Sequence, residues 1–249
     1  MLRYTISAFF LLCLFLGNAQ EKSKTIDLNP KDTTVYKQPY GLRVGIDLSR
    51  LLQTALDEDY QGLEFVGDYR LSQKLYVTGE LGNEKKIIQE DLYEFTSSGS
   101  YFKAGVDYNT YGNWYGEQNM ITLGGRFAVG NFTQSVNEYQ LFDSNRYWNA
   151  ADFVTGAGGP IEFSGRTKSW IEGVVGIKME LFKNLYLGGS IRMGILLSDP
   201  QDEGMWSLFI PGFNRVTDNS RFGVGYNYSI SYLIPLYKKV KKKEELPEE

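Results

Sequence analysis

The chain has 249 residues, 22% of them charged, with 26 Lys and Arg against 30 Asp and Glu, no His and one Cys. The slightly acidic balance leaves no electrostatic footprint for nucleic acid. Without His, a Ser-His-Asp triad, a His-assisted protease and a His-ligated metal site are excluded, so neither an enzyme nor a bound cofactor is expected.

The first element is MLRYTISAFFLLCLFLGNAQ, with an early cation at Arg3, an apolar run from Ile6 to Leu16, and small residues at Gly17 and Ala19. That order marks residues 1–19 as a secretory signal cleaved before Gln20. The run is shorter than the roughly 20 apolar residues of a spanning helix. Cys13 sits inside the apolar run, not after it, which argues against a lipoprotein site. Cleavage removes Arg3 and the only Cys, so the exported chain is held together without disulfides. No later apolar run approaches spanning length, and any membrane crossing must use strands.

Residues 20–40, QEKSKTIDLNPKDTTVYKQPY, mix charge, Pro and Thr without a period and read as a periplasmic tether. From residue 41 to 237 apolar and polar residues alternate, as they do when successive side chains of a strand face opposite sides. The apolar rows run from Leu42 to Leu48, Leu63 to Leu71, Leu75 to Leu81, Phe102 to Tyr108, Ile121 to Val129, Ile171 to Leu181, Leu185 to Leu197 and Phe222 to Ile234. Eight runs predict an all-β, antiparallel up-and-down barrel. Ten strands are the alternative, should parts of Asn131 to Ser169 or Trp206 to Val216 form another hairpin. Residues 238–249, ending KKKEELPEE, read as a charged, solvated periplasmic tail.

The connections alternate in length. Ser72-Gln73-Lys74 and Phe182-Lys183-Asn184 are tight, and Asn109 to Asn119 is intermediate. Leu51 to Gln61, Gly82 to Ser100, Asn131 to Ser169 and Ser198 to Ser220 are long. Tight turns at one rim and long loops at the other are the habit of outer-membrane barrels.

The apolar rows hold no charged residue. The opposite rows hold Arg43, Asp47, Glu64, Asp68, Arg70, Glu80, Lys103, Asp107, Arg126, Glu172, Lys178, Glu180 and Arg192. On a lipid face Arg or Lys would cost roughly 2–4 kcal/mol at depth, so the charges are placed in the lumen and the apolar rows against lipid. A soluble lipocalin-like periplasmic lipid binder inverts this arrangement and stands as an alternative. The acidic side chains are the residual candidates for acid–base chemistry. Seven lumenal acids face six lumenal bases, however, a near-balance that favours a salt-bridged, closed interior over a passive small-solute pore.

The wording FGVGYNYSISYLIPLYKK, with EFVGDYRLSQKLYVTGELG, GSYFKAGVDYN, SWIEGVVGIKMELFKNLYLGGSIRM and IPGFNR, resembles a domain-of-unknown-function family of Bacteroidota regarded as outer-membrane β-barrels. The resemblance implies fold and location and brings no reaction with it. Expected partners are outer-membrane lipid and an extracellular or envelope partner. Trp206 to Arg215, WSLFIPGFNR, is the most apolar connection. Trp206, Phe209, Ile210, Phe213 and Arg215 could form a binding patch there; the competing expectation is that Phe209, Ile210 and Phe213 fold inward and cap the barrel.

Overall fold

A computed structural model describes residues 37–89, 93–111, 118–139, 161–198, 201–202, 205–214 and 220–240. The expected signal peptide, most of the expected tether and residues 241–249 lie outside them. Eight strands close into one ring: β1 (Lys37–Asp47), β2 (Tyr60–Arg70), β3 (Leu75–Gln89), β4 (Tyr93–Asn109), β5 (Met120–Tyr139), β6 (Ile161–Phe182), β7 (Leu185–Leu196) and β10 (Phe222–Val240). Every neighbour pairing is antiparallel, and β10 joins β7 to β1. Among the described residues no ninth or tenth strand enters the wall. A short ladder of β8 (Gln201–Asp202) and β9 (Met205–Trp206) is separate from the ring.

The alternation is realised as expected. Leu81, Phe102, Leu123, Phe127, Val175, Ile191 and Val224 point away from the lumen and are exposed, while Glu80, Lys103, Asp107, Arg126 and Arg192 point inward and are buried. Such sidedness is the reverse of a soluble carrier with an apolar interior. Both ends of the wall start together, Lys37 opposite Val240. The barrel therefore begins inside the stretch expected as tether and ends inside the stretch expected as tail.

At this end the turns are tight. Lys183 and Asn184 alone link the paired Phe182 and Leu185, and Asn184 takes a left-handed φ of 68°, a conformation that Asn tolerates better than most residues. At the far end the strands run well past the apolar rows. Within the stretches expected as loops, residues 82–89 and 93–100 instead extend β3 and β4, and residues 131–139 and 161–169 extend β5 and β6. These extensions carry polar residues on their outward side, so the apolar–polar contrast vanishes although the strands continue. Asn83 Nδ2 donates to Ser100 Oγ and Asn131 Nδ2 to Thr167 Oγ1, both at 2.9 Å, stitching neighbouring strands where the apolar belt stops.

Leu48, expected to close the apolar row of the first strand, instead opens helix α1 (Leu48–Leu56), which runs into the stretch from Leu51 to Gln61 expected as a loop. Asp47 caps it, its Oδ1 accepting from the Ser49 N–H and hydroxyl at 2.7 Å each. Leu48, Leu51, Leu52, Ala55 and Leu56 fall on one helical face. The helix occupies a gap in the wall: β1 pairs with β2 only as far as Ile46 opposite Phe65, yet β2 continues to Tyr60 and β10 continues up to Phe222. α1 contacts both β2 and β10 across this gap. On the β2 side, Thr54 Oγ1 accepts from the Gly62 N–H at 2.8 Å and donates to the Gly62 carbonyl at 3.3 Å. Those backbone groups would otherwise be left without a strand partner.

Candidate functional site

The inward residues of the eight strands build a column of ionic pairs. Near the tight-turn end Arg43 from β1 meets Asp68 of β2 at 3.1 Å, and Lys178 reaches the same carboxylate from β6, across the ring. The Arg43 guanidinium lies over the Tyr186 ring, 4.4 Å from its centroid, with Tyr76 also within cation–π range. In the middle, Arg126 binds Asp107 through two nitrogens at 2.8 and 3.0 Å and Glu80 at 3.3 Å. Arg192 completes that layer, 2.6 Å from the second oxygen of Glu80.

Toward the far end, Lys103 bonds Glu172 at 2.8 Å, and the Trp170 indole N–H donates to the same carboxylate oxygen at 2.6 Å. Glu64 accepts from the Tyr101 hydroxyl and, at 3.2 Å, from Asn227, which also donates to Asp47. Of the thirteen inward charges read from the sequence, eleven join these pairs. The other two serve the turns: Arg70 donates to the carbonyls of Ser72 and Gln73, and Glu180 accepts from the Asn184 N–H.

Sequence reasoning missed several members. Glu84, Arg50, Arg166, Lys168 and Gln134 are all buried, as are Tyr60, Tyr101 and Trp170. Glu84 lies two and four places beyond Gly82 and Glu80 on the same inward row, and Lys168 and Arg166 continue the row of Glu172. Carrying the parity past the last apolar residue would have found them. Arg50 had no such signal, because it arrives on α1. It stands 2.9 Å from Glu84 and 3.5 Å from the Tyr60 hydroxyl. Glu64 lies 3.8 Å away as well, so the buried guanidinium is faced by two carboxylates.

The far end of the column is stoppered by the chain between β9 and β10. Ile210 and Phe213 are buried, and with Tyr101, Ala128, Phe132, Trp170 and Leu196 they form the apolar cluster of the interior. They therefore cannot supply an exposed binding patch; the inward expectation holds for both, for the physical reason that this is the only apolar cluster offered to them among the described residues. Phe209 is half-buried, its carbonyl accepting from the Ser97 hydroxyl at 2.9 Å. Trp206 contributes its backbone to β9, and Arg215 lies outside the described residues.

The stopper is built on Ile210-Pro211-Gly212-Phe213. The Phe213 N–H bonds the Ile210 carbonyl at 3.0 Å, and Gly212 has φ +79°, as a type II turn requires. Its N–H donates to Glu84 at 3.0 Å and its carbonyl accepts from Lys103 at 3.0 Å. A Cβ on Gly212 would lie 2.5 Å from the Tyr101 ring. The small inward residues of β7 and β10 make the matching space: a Cβ on Gly194 would come within 2.8 Å of Phe213, and one on Gly223 within 2.6 Å of the Asn214 carbonyl. Asn214 accepts in turn from the Val224 N–H at 2.9 Å, on the β10 stretch that β1 does not reach.

Little space remains inside. Two lumenal cavities of about 20 and 40 Å³ lie around Arg192, each enough for water and nothing larger. A shallow groove of about 360 Å³ runs along the outer wall between Leu63, Phe65, Leu81, Phe102 and Val129, below the Asn83 and Ser100 pair. A family model described as a domain of unknown function, DUF6048, matches residues 1–239. The chain belongs to that family. No curated protein matches this DUF6048 chain. Among solved structures it is similar to the crystal structure of Ail, the attachment invasion locus protein of Yersinia pestis, with a TM-score of 0.40 and 10% identity over 80% of this chain and 99% of that one.

Proposed function

We propose that this DUF6048 chain is a small outer-membrane barrel of a Gram-negative bacterium of the Bacteroidota, exported by a cleaved signal peptide, with a closed lumen and no enzymatic activity. Its role is structural within the envelope, or binding through the parts that rise beyond the membrane. The observation that carries this reading is the sidedness of the wall. Large apolar side chains are exposed on the outward side of every strand of the ring, while charged pairs fill the inside. In water that outer surface would be far larger than the few hundred Å² of apolar patch a soluble monomer tolerates. In lipid it is the expected surface of a barrel whose backbone bonds close on themselves.

The tight turns and both barrel termini then face the periplasm, and the strand extensions face outward. Asp68, Glu80, Glu84, Asp107 and Glu172 each sit against Arg or Lys at ion-pair distance, an arrangement that supports structure over acid–base chemistry. The passive pore is the second reading, and the stopper and the bridges across the ring favour closure against it. Purified protein in planar bilayers should show no steady conductance. Reproducible channels of defined selectivity would replace the closed barrel by the pore.

A further inference from the structure

Helix α1 carries an apolar face that no part of the described chain covers. Leu52 and Leu56 are 57% and 85% exposed, in the range of or above the outward wall residues Phe65 and Leu81 at 52% and 58%. The opposite face is fixed to the barrel. Arg50 is inserted toward Glu84 and Tyr60, and Thr54 holds both backbone groups of Gly62. The leucines therefore cannot turn inward without pulling a paired guanidinium out of a buried site, which is costly.

The place of the helix says what covers it. It starts at Leu48, two places after Ile46, the last outward residue of β1, and stands between β2 and β10, where the next outward residues are Leu63 and Tyr228. The apolar face of the helix thus continues the outward belt over the gap that β1 leaves. Immediately beyond it come Asp57, Glu58 and Asp59, with Glu58 and Asp59 exposed, which set a limit to its depth. A short helix with apolar residues on one side and polar anchors on the other is the form that lies in a membrane interface.

We infer that α1 is an interfacial membrane helix, seated in the outer-leaflet hydrocarbon through Leu51, Leu52 and Leu56, where it completes the lipid-facing wall in place of the missing upper part of β1. The inference rests on the outer-membrane reading above. Its occupant is lipid, not a second copy and not water.

The test uses single nitroxide labels on the full mature chain in phospholipid vesicles, at Leu52→Cys, Leu56→Cys, Ile191→Cys and Glu58→Cys, read by relaxation with oxygen and with a water-soluble nickel chelate. The expected result is an oxygen-to-nickel ratio several-fold higher at Leu52 and Leu56 than at Glu58, approaching that at Ile191 on the barrel wall. If Ile191 is shielded from nickel while Leu52 and Leu56 match Glu58, the helix is in water and the inference fails with the membrane reading intact. Strong dipolar broadening between Leu52 labels, lost on dilution with unlabelled protein, would put a second copy on the face and also overturn it. Nickel access at Ile191 itself would overturn the membrane reading and the inference together.

Discussion

Arg192 on β7 bonds Glu80 on β3 at 2.6 Å, and these two strands are diametrically opposite in the ring of eight. Lys178 on β6 and Asp68 on β2 form a second bridge of the same kind. A contact across the full diameter means that the lumen is no wider than two extended side chains laid end to end. The barrel is thus filled by its own charges, and the interior of an eight-stranded ring is just wide enough for that.

The central layer is the first place to test this. Arg192→Met leaves Glu80 and Glu64 with less positive charge around a buried site, and removing one partner of a buried pair costs about 3–5 kcal/mol. Urea unfolding from detergent micelles should show a lowered midpoint, with a loss of unfolding free energy of that order. Adding Glu80→Gln to Arg192→Met should recover part of the loss, because the stranded carboxylate is then neutral. Full additivity of the two changes would mean that the bridge does not hold the layer together.

Neighbouring residues on one strand should respond in opposite ways to the same substitution. Ile191 points outward and is exposed, one place from buried Arg192. Ile191→Arg is expected to weaken folding into lipid vesicles by about 2–4 kcal/mol if it sits near the midplane. A neutral result would mean that this face does not meet hydrocarbon.

The barrel was legible in the sequence wherever one side of a strand was oily and the other was not. That contrast exists only within the apolar belt, so β3, β4, β5 and β6 appeared to end near Leu81, Phe102, Val129 and Ile171, while their polar continuations looked like loops. Glu84 and Lys168 were lost for the same reason. The glycines Gly194 and Gly223 stand visibly on the polar rows, but what they make room for, the Phe213 and Asn214 stopper, required knowing that a distant segment folds back. Arg50 was invisible, since its alignment with Glu84 depends on a helix that fills a gap in the wall, and no strand parity points there.

The stopper makes its own prediction. Gly212→Ala adds a Cβ against the Tyr101 ring at a residue with φ +79°, and such a change costs more than about 1 kcal/mol. The turn should be displaced, and residues 205–214 should become sensitive to protease in folded, reconstituted protein. Steady or flickering conductance absent from the wild type should accompany it. Protease resistance and electrical silence in a folded Gly212→Ala barrel would show that the turn does not close the lumen.

The central claim is that the barrel spans the outer membrane with its tight turns in the periplasm and its strand extensions outside. The expected mature chain lacks Cys, so a single introduced thiol reports its own side of the membrane. Glu162→Cys, on the exposed extension of β6, and Lys183→Cys, in the two-residue turn, are to be treated with a membrane-impermeant maleimide on intact cells and again after the outer membrane is permeabilised. The account predicts labelling of Glu162→Cys on intact cells and of Lys183→Cys only after permeabilisation. Both sites shielded until permeabilisation would contradict the membrane-spanning barrel, and Lys183→Cys labelled alone on intact cells would turn it upside down.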